Sequence, residues 1–359
     1  MALLAAVHRR SAGRIAVACR CWLPQGRGMR ILWSVLFALL FVPDSTVPGR
    51  RVRLGTDPHF RAVPVMLDPA RPDLTRVGDL AWLGGVQLRS PDPQFGGFSS
   101  LSVAGDRFTL LSDSSDIVRF TMGSDWKVRD PSFAELPAGP GTGWFKRDRD
   151  SESMSIDRKT GAVWVGFESY NEFWRYDSGF RRAEEHGAPP VMSKWPENEG
   201  PEAMTLLPTG GMVTIAETKP WPKASGRGGI VFLGDPVRRP RWGFRFTYLP
   251  PRGYDPSDMT VLPDGRWLIL NRRFAGARFS NVLTVVDPAQ VKPGATVRGR
   301  DIATLAAPLI HDNFEGVAVT PEGAATIIWL VSDDNQLSLQ RSLLLKFRLD
   351  PVAPKRNRN

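Results

Sequence analysis

The sequence contains five stretches that share one plan and recur about every 50 residues. Each stretch has a short alternating strand, a turn with glycine, a strongly apolar strand and then a polar or charged cluster. The apolar residue of the first strand falls at Leu101, Met154, Met204, Met259 and Val317, which gives intervals of 53, 50, 55 and 58 residues. A repeat of this length with several strands per unit is typical of a β-propeller. The sequence therefore predicts an all-β fold with five blades.

Further apolar segments follow the repeats and supply the remaining strands of the blades. They are GGIVFL from Gly228, RWGFRFTYL from Arg241, SNVLTVV from Ser280 and LLLKFRL from Leu343. The segment Leu80–Leu88 has no partner in the first unit, so we expect it to pair with Leu343–Leu349 in the last unit and to close the ring. Six blades remain an alternative if residues 60–97 form a degenerate unit, whereas a two-domain β-sandwich leaves the period unexplained. The propeller is predicted over residues 76–350, after a linker at 50–75.

Residues 1–49 form a leader that is separate from the repeats. The run Ile31–Val42 is apolar over twelve residues, which is the length of a signal-peptide core and short for a membrane span. Met1 and Met29 are both candidate start sites. No clear cleavage signal follows the apolar run, so an uncleaved membrane anchor is the alternative. We expect an exported protein, periplasmic or secreted, whose only membrane contact is this anchor.

The charge and the cysteine positions restrict which partners and which chemistry are expected for the body of the chain, residues 50–359. The formal net charge is +10, and six arginines and one aspartate in residues 1–49 carry +5 of it, which leaves +5 for the remainder. Part of that remainder belongs to a basic tail at 351–359, so no nucleic-acid partner is predicted. Both cysteines, Cys19 and Cys21, lie in the leader, so the body has neither disulfides nor thiolate chemistry. We expect a monomer that acts on a small anionic or ester substrate.

Acidic residues recur at two positions of the repeat. Glu152, Glu202 and Glu315 stand at the start of the first strand of their units, and Asp258 stands one position later. A second polar cluster follows the next strand and consists of Asp113, Glu168, Glu217, Asn271–Arg273 and Asp333–Asn335. Because the second strand runs antiparallel to the first, its end returns to the side where the first strand began. Both sets are therefore expected to meet at one mouth of the central channel.

A ring of carboxylates predicts a divalent cation. Like charges held close together repel and raise one another's pKa, and a hard cation with oxygen ligands relieves this repulsion. We predict Glu152, Glu202, Glu315 and Asp333 as the metal ligands. Ca²⁺ is favoured over Zn²⁺, because the body has no cysteine and few histidines. Among these histidines only His311 lies near the cluster in sequence, and it is a candidate proton donor.

Basic and amide side chains of the same cluster predict an anionic ligand. Arg272, Arg273 and Lys219 bring positive charge into the ring, and such a set suits a phosphate ester. Asn271 and Asn335 are candidate substrate-binding residues together with Lys219, and the remaining carboxylate Asp334 is the candidate general base. Alternatively, the arginines are structural partners of carboxylates on neighbouring blades. The serine-hydrolase elbow, the Walker loop and the H-E-x-x-H motif are all absent from the sequence.

Several of these motifs resemble the phytase-like family. The motifs are WLGGVQL, FGGFSSLSV, ESMSID, EGPEAM, LPDGRWLILNRRF and, most specifically, NFEGVAV followed by WLVSDDNQ and LLLKFRL. The resemblance covers about residues 76–349 and implies a β-propeller with esterase-like activity and calcium-assisted hydrolysis of phosphate esters. Two positions depart from the pattern. Ser112–Ser115 replaces the usual Ser-Asp-Arg-Gly, and Asn271 replaces an acidic residue.

Three functions stay open from the sequence. The first is a metal-assisted hydrolase of phosphate esters or related esters, in which Arg272 or Arg273 holds the anionic group. The second belongs to the same class and is a lactonase, for which Glu202, Asn271 and Asp333 supply the metal centre. The third is a non-catalytic binding or scaffold propeller with a structural cation.

Overall fold

The computed structural model describes Gly49 and residues 51–350 of the chain. The predicted leader with its apolar run Ile31–Val42 and the basic tail 351–359 lie outside these residues. Within the described part, no helix combines the length and the apolar character that crossing a membrane requires. The fold of this part is all-β, with three short 3-10 helices at Lys146–Arg149, Pro190–Met192 and Pro288–Gln290.

The described residues form five sheets, and two short strands and one long strand precede the first complete sheet. These strands are β1 (Arg61–Pro64), β2 (Arg76–Val77) and β3 (Leu80–Arg89). Blade one contains β4 (Phe98–Ala104), β5 (Arg107–Ser112), β6 (Asp116–Met122) and β7 (Val128–Glu135). Blade two contains β8 (Ser151–Ile156), β9 (Val163–Phe167), β10 (Glu172–Tyr176) and β11 (Ala183–Gly187).

The other three blades are built from antiparallel strands in the same way, except that the edge strand β19 of blade three pairs parallel with its neighbour. Blade three contains β12 (Ala203–Leu206), β13 (Met212–Ile215), β14 (Arg227–Phe232) and β15 (Gly243–Tyr248), with β19 (Thr296–Val297) at its edge. Blade four contains β16 (Asp255–Val261), β17 (Trp267–Ala275), β18 (Arg278–Val286) and β20 (Arg300–Leu305). Blade five contains β21 (Asn313–Glu322), β22 (Ala325–Asp333) and β23 (Leu343–Leu349). The five-bladed propeller predicted from the repeat is confirmed.

Blade five is completed by the N-terminal strand β3. This strand pairs antiparallel with β23, with Leu80 opposite Leu349 and Gln87 opposite Leu343. The predicted pairing of these two segments is therefore present. Strand β1 adds to the other edge of β3, so part of the segment predicted as a linker, residues 50–75, contributes to the sheet.

The period of the repeat has a direct physical cause. The hydrophobic core is divided into five clusters, and each cluster lies between two neighbouring blades. Every cluster contains one of the five repeat residues, each at most 5 % exposed: Leu101, Met154, Met204, Met259 and Val317. Because a blade buries its faces only against its neighbours, each blade has to supply one apolar side chain at this position.

Side-chain hydrogen bonds link the innermost strands of adjacent blades. The Ser153 hydroxyl donates to the carbonyl of Pro201 at 2.6 Å, and the Ser257 hydroxyl donates to the carbonyl of Phe314 at 3.1 Å. These strands, β4, β8, β12, β16 and β21, contact one another in sequence and return from β21 to β4. They therefore surround the channel, and their N-terminal ends define one mouth.

Gly316 is needed where blade five meets blade one. A Cβ at this position would lie 2.6 Å from Cγ1 of Val331 and 3.1 Å from the backbone nitrogen of Leu101. We expect Gly316→Ala to lower the free energy of unfolding by about 1–3 kcal/mol, because overpacking forces strands apart. Denaturant unfolding measures this loss. Gly123→Ala is the matched control, because its nearest neighbour would be 3.8 Å away. Equal stability of both variants would contradict the close approach of the blades.

Candidate functional site

Carboxylates from blades one, two, three and five gather where the innermost strands begin and the second strands end. The register explains this, since Ser151 at the start of β8 lies opposite Phe167 at the end of β9, and Asn313 of β21 lies opposite Asp333 of β22. We call the set the carboxylate mouth, and it consists of Asp113, Asp150, Glu152, Glu168, Glu202, Glu217, Glu315, Asp333 and Asp334. The predicted meeting of the two acidic positions at one end of the channel is thus found.

Two triads within the carboxylate mouth have the spacing of cation ligands. The first triad consists of Asp150, Glu152 and Glu168, and the second consists of Glu168, Glu202 and Glu217. In each triad, one carboxylate oxygen of every residue lies within 4.8 Å of the others. Glu168 belongs to both. Within residues 51–350 the side chains of Glu152 and Glu202 have no hydrogen-bond or ion-pair partner, although they are 9 % and 5 % exposed. Buried carboxylates of this kind are stable only when protonated or when a cation binds.

The electrostatics of the mouth support the same conclusion. Burial, followed by repulsion from Asp150 and Glu217, raises the pKa of Glu168 to about 9. Burial and neighbouring carboxylates, Glu168 among them, raise the pKa values of Glu152 and Glu202 well above their usual range. The pKa of Asp333 is raised to about 8, again chiefly by burial and then by Asp113. A cation in the mouth would reverse these shifts.

Arg272 ties three blades together at the mouth. Its guanidinium donates to Glu315 of blade five, to Oε1 of Glu217 of blade three at 2.7 Å and to Oδ1 of Asn313 at 3.0 Å. Burial lowers the pKa of Arg272, but Glu217 and Glu202 raise it by more, so the group stays charged. Its side chain is 19 % exposed and its terminal nitrogens are occupied. The alternative interpretation of the arginines as partners of carboxylates on neighbouring blades therefore describes Arg272.

Lys146 is a mouth residue that sequence reasoning missed. Its ammonium lies 2.8 Å from Oδ2 of Asp113 and 3.1 Å from Oδ1 of Asp150. Burial lowers its pKa, but the carboxylates Asp113, Asp150 and Glu152 raise the value well above the usual range. Because the side chain is 49 % exposed, this ammonium is accessible to a ligand in a way that Arg272 is not.

The loop that carries Lys146 is fixed by Asp148. The Asp148 carboxylate accepts hydrogen bonds from the backbone nitrogens of Thr142 and Gly143 at 3.0 and 2.9 Å and from the Tyr170 hydroxyl at 2.9 Å. The loop occurs only between blades one and two, so it has no counterpart in the repeat. The available signal was the Gly- and Pro-rich segment PAGPGTGW directly before FKRDRD.

Of the four predicted metal ligands, Glu152 and Glu202 belong to the triads. Glu315 accepts from Arg272 and from Nδ2 of Asn313, the latter at 2.8 Å. Asp333 accepts from the backbone nitrogen of Asn335 at 2.6 Å and from Nδ2 of Asn313 at 3.2 Å. Both therefore lie at the mouth with protein partners, whereas Glu168, Glu217 and Asp150 complete the triads.

Several of the predicted polar residues have structural contacts. Asn271 is fully buried inside blade four, where it accepts from the Tyr248 hydroxyl at 2.9 Å and donates to the carbonyl of Val282 at 3.0 Å. Asp334 accepts from the backbone nitrogen of Gly97 at 3.1 Å and from the Ser342 hydroxyl at 2.7 Å. These bonds hold the segments that approach the mouth.

The remaining predicted residues lie around or away from the mouth. Arg273 is exposed and its guanidinium lies 5.9 Å from the centre of the Tyr254 ring. Lys219 forms no ion pair with any described residue. The Asn335 amide donates to Oε1 of Gln340 at 2.9 Å. His311 borders a separate surface pocket, with Nδ1 2.7 Å from the carbonyl oxygen of Leu309.

Asp258 lies at a blade junction and not in the mouth. One carboxylate oxygen accepts from the backbone nitrogen of Met259, and the other accepts from that of Val317, both at 2.7 Å. It therefore bridges the innermost strands of blades four and five. Asp258 stands one position later in its repeat than Glu152, Glu202 and Glu315 do in theirs. Because adjacent residues of a strand point to opposite faces, its side chain points away from the mouth.

The fold and the site define a class, a five-bladed β-propeller whose carboxylate mouth could hold a metal ion. Residues 93–336 match the model of the phytase-like family, which is described as "Esterase-like activity of phytase". The chain belongs to this family.

The chain is also similar to solved structures, but at low sequence identity. The chain is similar to hydrazine synthase of Kuenenia stuttgartiensis, at 13 % identity and a TM-score of 0.36, over 73 % of this chain and 60 % of that one. It thus covers less than two thirds of that protein. Glutaminyl cyclase of Myxococcus xanthus matches at 12 % identity and a TM-score of 0.44, over 72 % of this chain and 92 % of that one. No curated protein matches the sequence.

Proposed function

We propose that this protein is a hydrolase of phosphate esters or related esters that acts with a divalent cation, preferably Ca²⁺. One observation carries the proposal. Glu168 is shared by two carboxylate triads, and two further members, Glu152 and Glu202, are buried without a partner among the described residues. An enzyme site keeps coordination positions open for substrate and water, whereas a structural metal site is closed by protein ligands.

The donor set fits a hard cation. Asp150, Glu152 and Glu168, or Glu168, Glu202 and Glu217, would hold it through carboxylate oxygens, which are the ligands that Ca²⁺ prefers. When bound, the cation would supply charge that polarises the ester and lowers the pKa of a water molecule. Arg272 would keep Glu217 and Glu315 in position, because its hydrogen bonds fix both carboxylates.

Lys146 is the residue that we assign to the anionic group of the substrate. Its side chain is half-exposed at the edge of the first triad, and Asp148 holds its loop in place. A phosphoryl group that entered the mouth would meet this ammonium, while the nitrogens of Arg272 are already taken. The general base predicted at Asp334 stays a prediction.

A second function is favoured by a different observation. Glu315 and Asp333 are satisfied by protein partners, and Arg272 links its own blade to blades three and five, so this side of the mouth has a structural role. This arrangement also suits a non-catalytic binding propeller with a structural cation.

Hydrolysis assays separate the two functions. We expect the full chain to hydrolyse a phosphate monoester in a panel that also contains a carboxyl ester and a lactone, and to lose this activity in EDTA. Lys146→Met should raise KM for the phosphate ester by about tenfold, because one hydrogen bond to a charged group is lost. It should change KM for the neutral lactone little, and Lys292→Met, at an exposed loop, should change neither.

Hydrolysis of only the lactone or carboxyl ester would keep the hydrolase class and overturn the phosphate substrate. If none of the esters is hydrolysed while Ca²⁺ still stabilises the fold, the protein is a binding propeller.

A further inference from the structure

A cavity of about 580 Å³ lies at the other end of the central channel. It is lined by the later residues of the five innermost strands and by the turns that follow them. None of the residues of the carboxylate mouth lines it. The repeat residues, such as Met154 and Met204, form its inner wall. The cavity is therefore a site separate from the one to which we assign hydrolysis.

Hydroxyl groups from four blades line this cavity at one level. They directly follow the repeat residue in each strand and are Ser102, Ser155, Thr205 and Thr260. Within the described chain the hydroxyls of Ser102 and Thr260 have no hydrogen-bond partner. The Ser155 oxygen accepts from the backbone nitrogen of Leu206 at 3.0 Å, so its own proton is left to donate. The wall thus presents donors and acceptors to a ligand in the cavity.

The Arg158 side chain crosses the open end of the cavity. It begins in the turn after β8 in blade two, and its Nη2 donates to the carbonyl of Val319 in β21 of blade five at 2.6 Å. Blade one lies between blades two and five in the ring, so the Arg158 side chain connects two blades that are not neighbours. Among residues 51–350 its other nitrogens have no partner, which leaves one edge of the guanidinium free for a ligand.

Arg158 and Lys159 give this end a positive charge, which the Asp157 carboxylate of the same turn offsets only in part. Lys159 follows Arg158 and, in the described part of the chain, forms no ion pair. The Asp157 carboxylate is engaged in its own turn, where it accepts from the Lys159 backbone nitrogen at 2.8 Å and from the Thr160 hydroxyl at 2.9 Å.

Two further carboxylates border the cavity and are also engaged. Asp258 accepts two backbone N–H groups, and Asp235 pairs with Arg175 at 3.2 Å. Arg158 and Lys159 are therefore the cations available to a ligand here, and they outnumber the one carboxylate, Asp157, that no cation or backbone bridge between blades engages.

We propose that this cavity binds a small hydroxylated anion. A guanidinium with a free edge binds a phosphate or carboxylate through two parallel hydrogen bonds, and Lys159 adds a second cation. The four hydroxyls contact the polar groups of the ligand. Small-molecule sites commonly have volumes of about 300–1,000 Å³, and the cavity falls in this range. The ligand is a sugar phosphate or a sugar acid, since both carry an anionic group together with several hydroxyl groups.

Calorimetric titration of the full chain tests the proposal. The ligands are glucose 6-phosphate, gluconate and neutral glucose, in EDTA so that no divalent cation attracts an anion to the mouth. We expect one of the two anions to bind with a stoichiometry of one, and glucose not to bind. The tighter anion identifies the anionic group. Affinity should fall as the salt concentration rises, since the attraction is partly screened.

Variants locate the site. Arg158→Met and Lys159→Met should each weaken binding at least about tenfold, because each removes a charged donor. Thr260→Val keeps the shape, removes one hydroxyl and should weaken binding by a smaller factor. Lys146→Met at the mouth and Lys292→Met at an exposed loop should leave the affinity unchanged.

Two outcomes would overturn the site. One is the absence of binding by both anions at millimolar concentration, and the other is binding that Lys146→Met abolishes while Lys159→Met and Thr260→Val do not change it. Lys159→Met and Thr260→Val keep the test valid if Arg158→Met fails to fold, since neither side chain links two blades. Activity at the mouth does not enter this test, so the two proposals fail independently.

Discussion

Arg272→Met should lower the free energy of unfolding by about 3–5 kcal/mol, because removing one partner of a buried ion pair leaves the other charge uncompensated. Here two carboxylates, Glu217 and Glu315, lose the same partner. The loss is concentrated where blades three, four and five meet. Denaturant unfolding followed by circular dichroism measures it in the absence of divalent cations.

The neighbouring residue supplies a matched control. Arg273 is adjacent on the same strand but exposed, and its guanidinium lies 5.9 Å from the centre of the Tyr254 ring. Arg273→Met should therefore change stability by less than about 1 kcal/mol, since exposed charges contribute little. Adding Glu217→Gln and Glu315→Gln to Arg272→Met should recover part of the loss, because the uncompensated charges are then gone. A loss in Arg272→Met no larger than in Arg273→Met would contradict the proposed role of Arg272.

Added Ca²⁺ should raise the thermal midpoint of the parent protein and raise it much less in Glu168→Gln. A ligand that binds only the folded state adds about 2.7 kcal/mol at one hundred times its dissociation constant. Glu168 belongs to both triads, so its neutral replacement weakens both candidate sites. Glu202→Gln should have a smaller effect, because Glu202 belongs to one. Glu199 lies in the same turn as Glu202 but belongs to neither triad, so Glu199→Gln should behave like the parent protein.

The Ca²⁺ effect should grow with pH. The pKa values of Glu168 and Asp333 are raised to about 9 and 8, far above about 4 in an unfolded chain. Their protonated forms therefore stabilise the cation-free fold fully at low pH, and this contribution is lost as the pH rises through 8 and 9. We expect the cation-free midpoint to fall from pH 5 to pH 9 and Ca²⁺ to restore it most at pH 9. A midpoint indifferent to Ca²⁺ and Mg²⁺ at every pH would remove the cation from the proposal.

The fold could be predicted from the sequence because one physical requirement recurs. Each blade needs one apolar side chain at the same position in its innermost strand, where it packs against the neighbouring blade. Leu101 and Val317 fill this position in their blades as Met154 does in blade two. The repeat of this residue fixes the strands around it. The pairing of β3 with the last unit followed from its lack of a partner in the first repeat unit.

The candidate site was less predictable, because single-residue offsets decide where side chains point. Strand β17 continues past Asn271 to Ala275, so Asn271 points into the blade and Arg272 points to the mouth. Only the observed register distinguishes the two. Lys146 and Asp150 could not be found from the repeat at all, since they belong to a segment that occurs once.

The pairing of β3 with β23 also has a consequence for the time course of folding. Leu80 lies opposite Leu349, so two segments 269 residues apart in sequence share one sheet. A chain emerging from the ribosome cannot form this ladder until its last strand has been synthesised. Pairings between distant segments form slowly, because the entropy of closing the loop has to be overcome first. The nascent chain therefore stays without its fifth blade until β23 has emerged, and chaperones that hold extended chains have that interval in which to bind it.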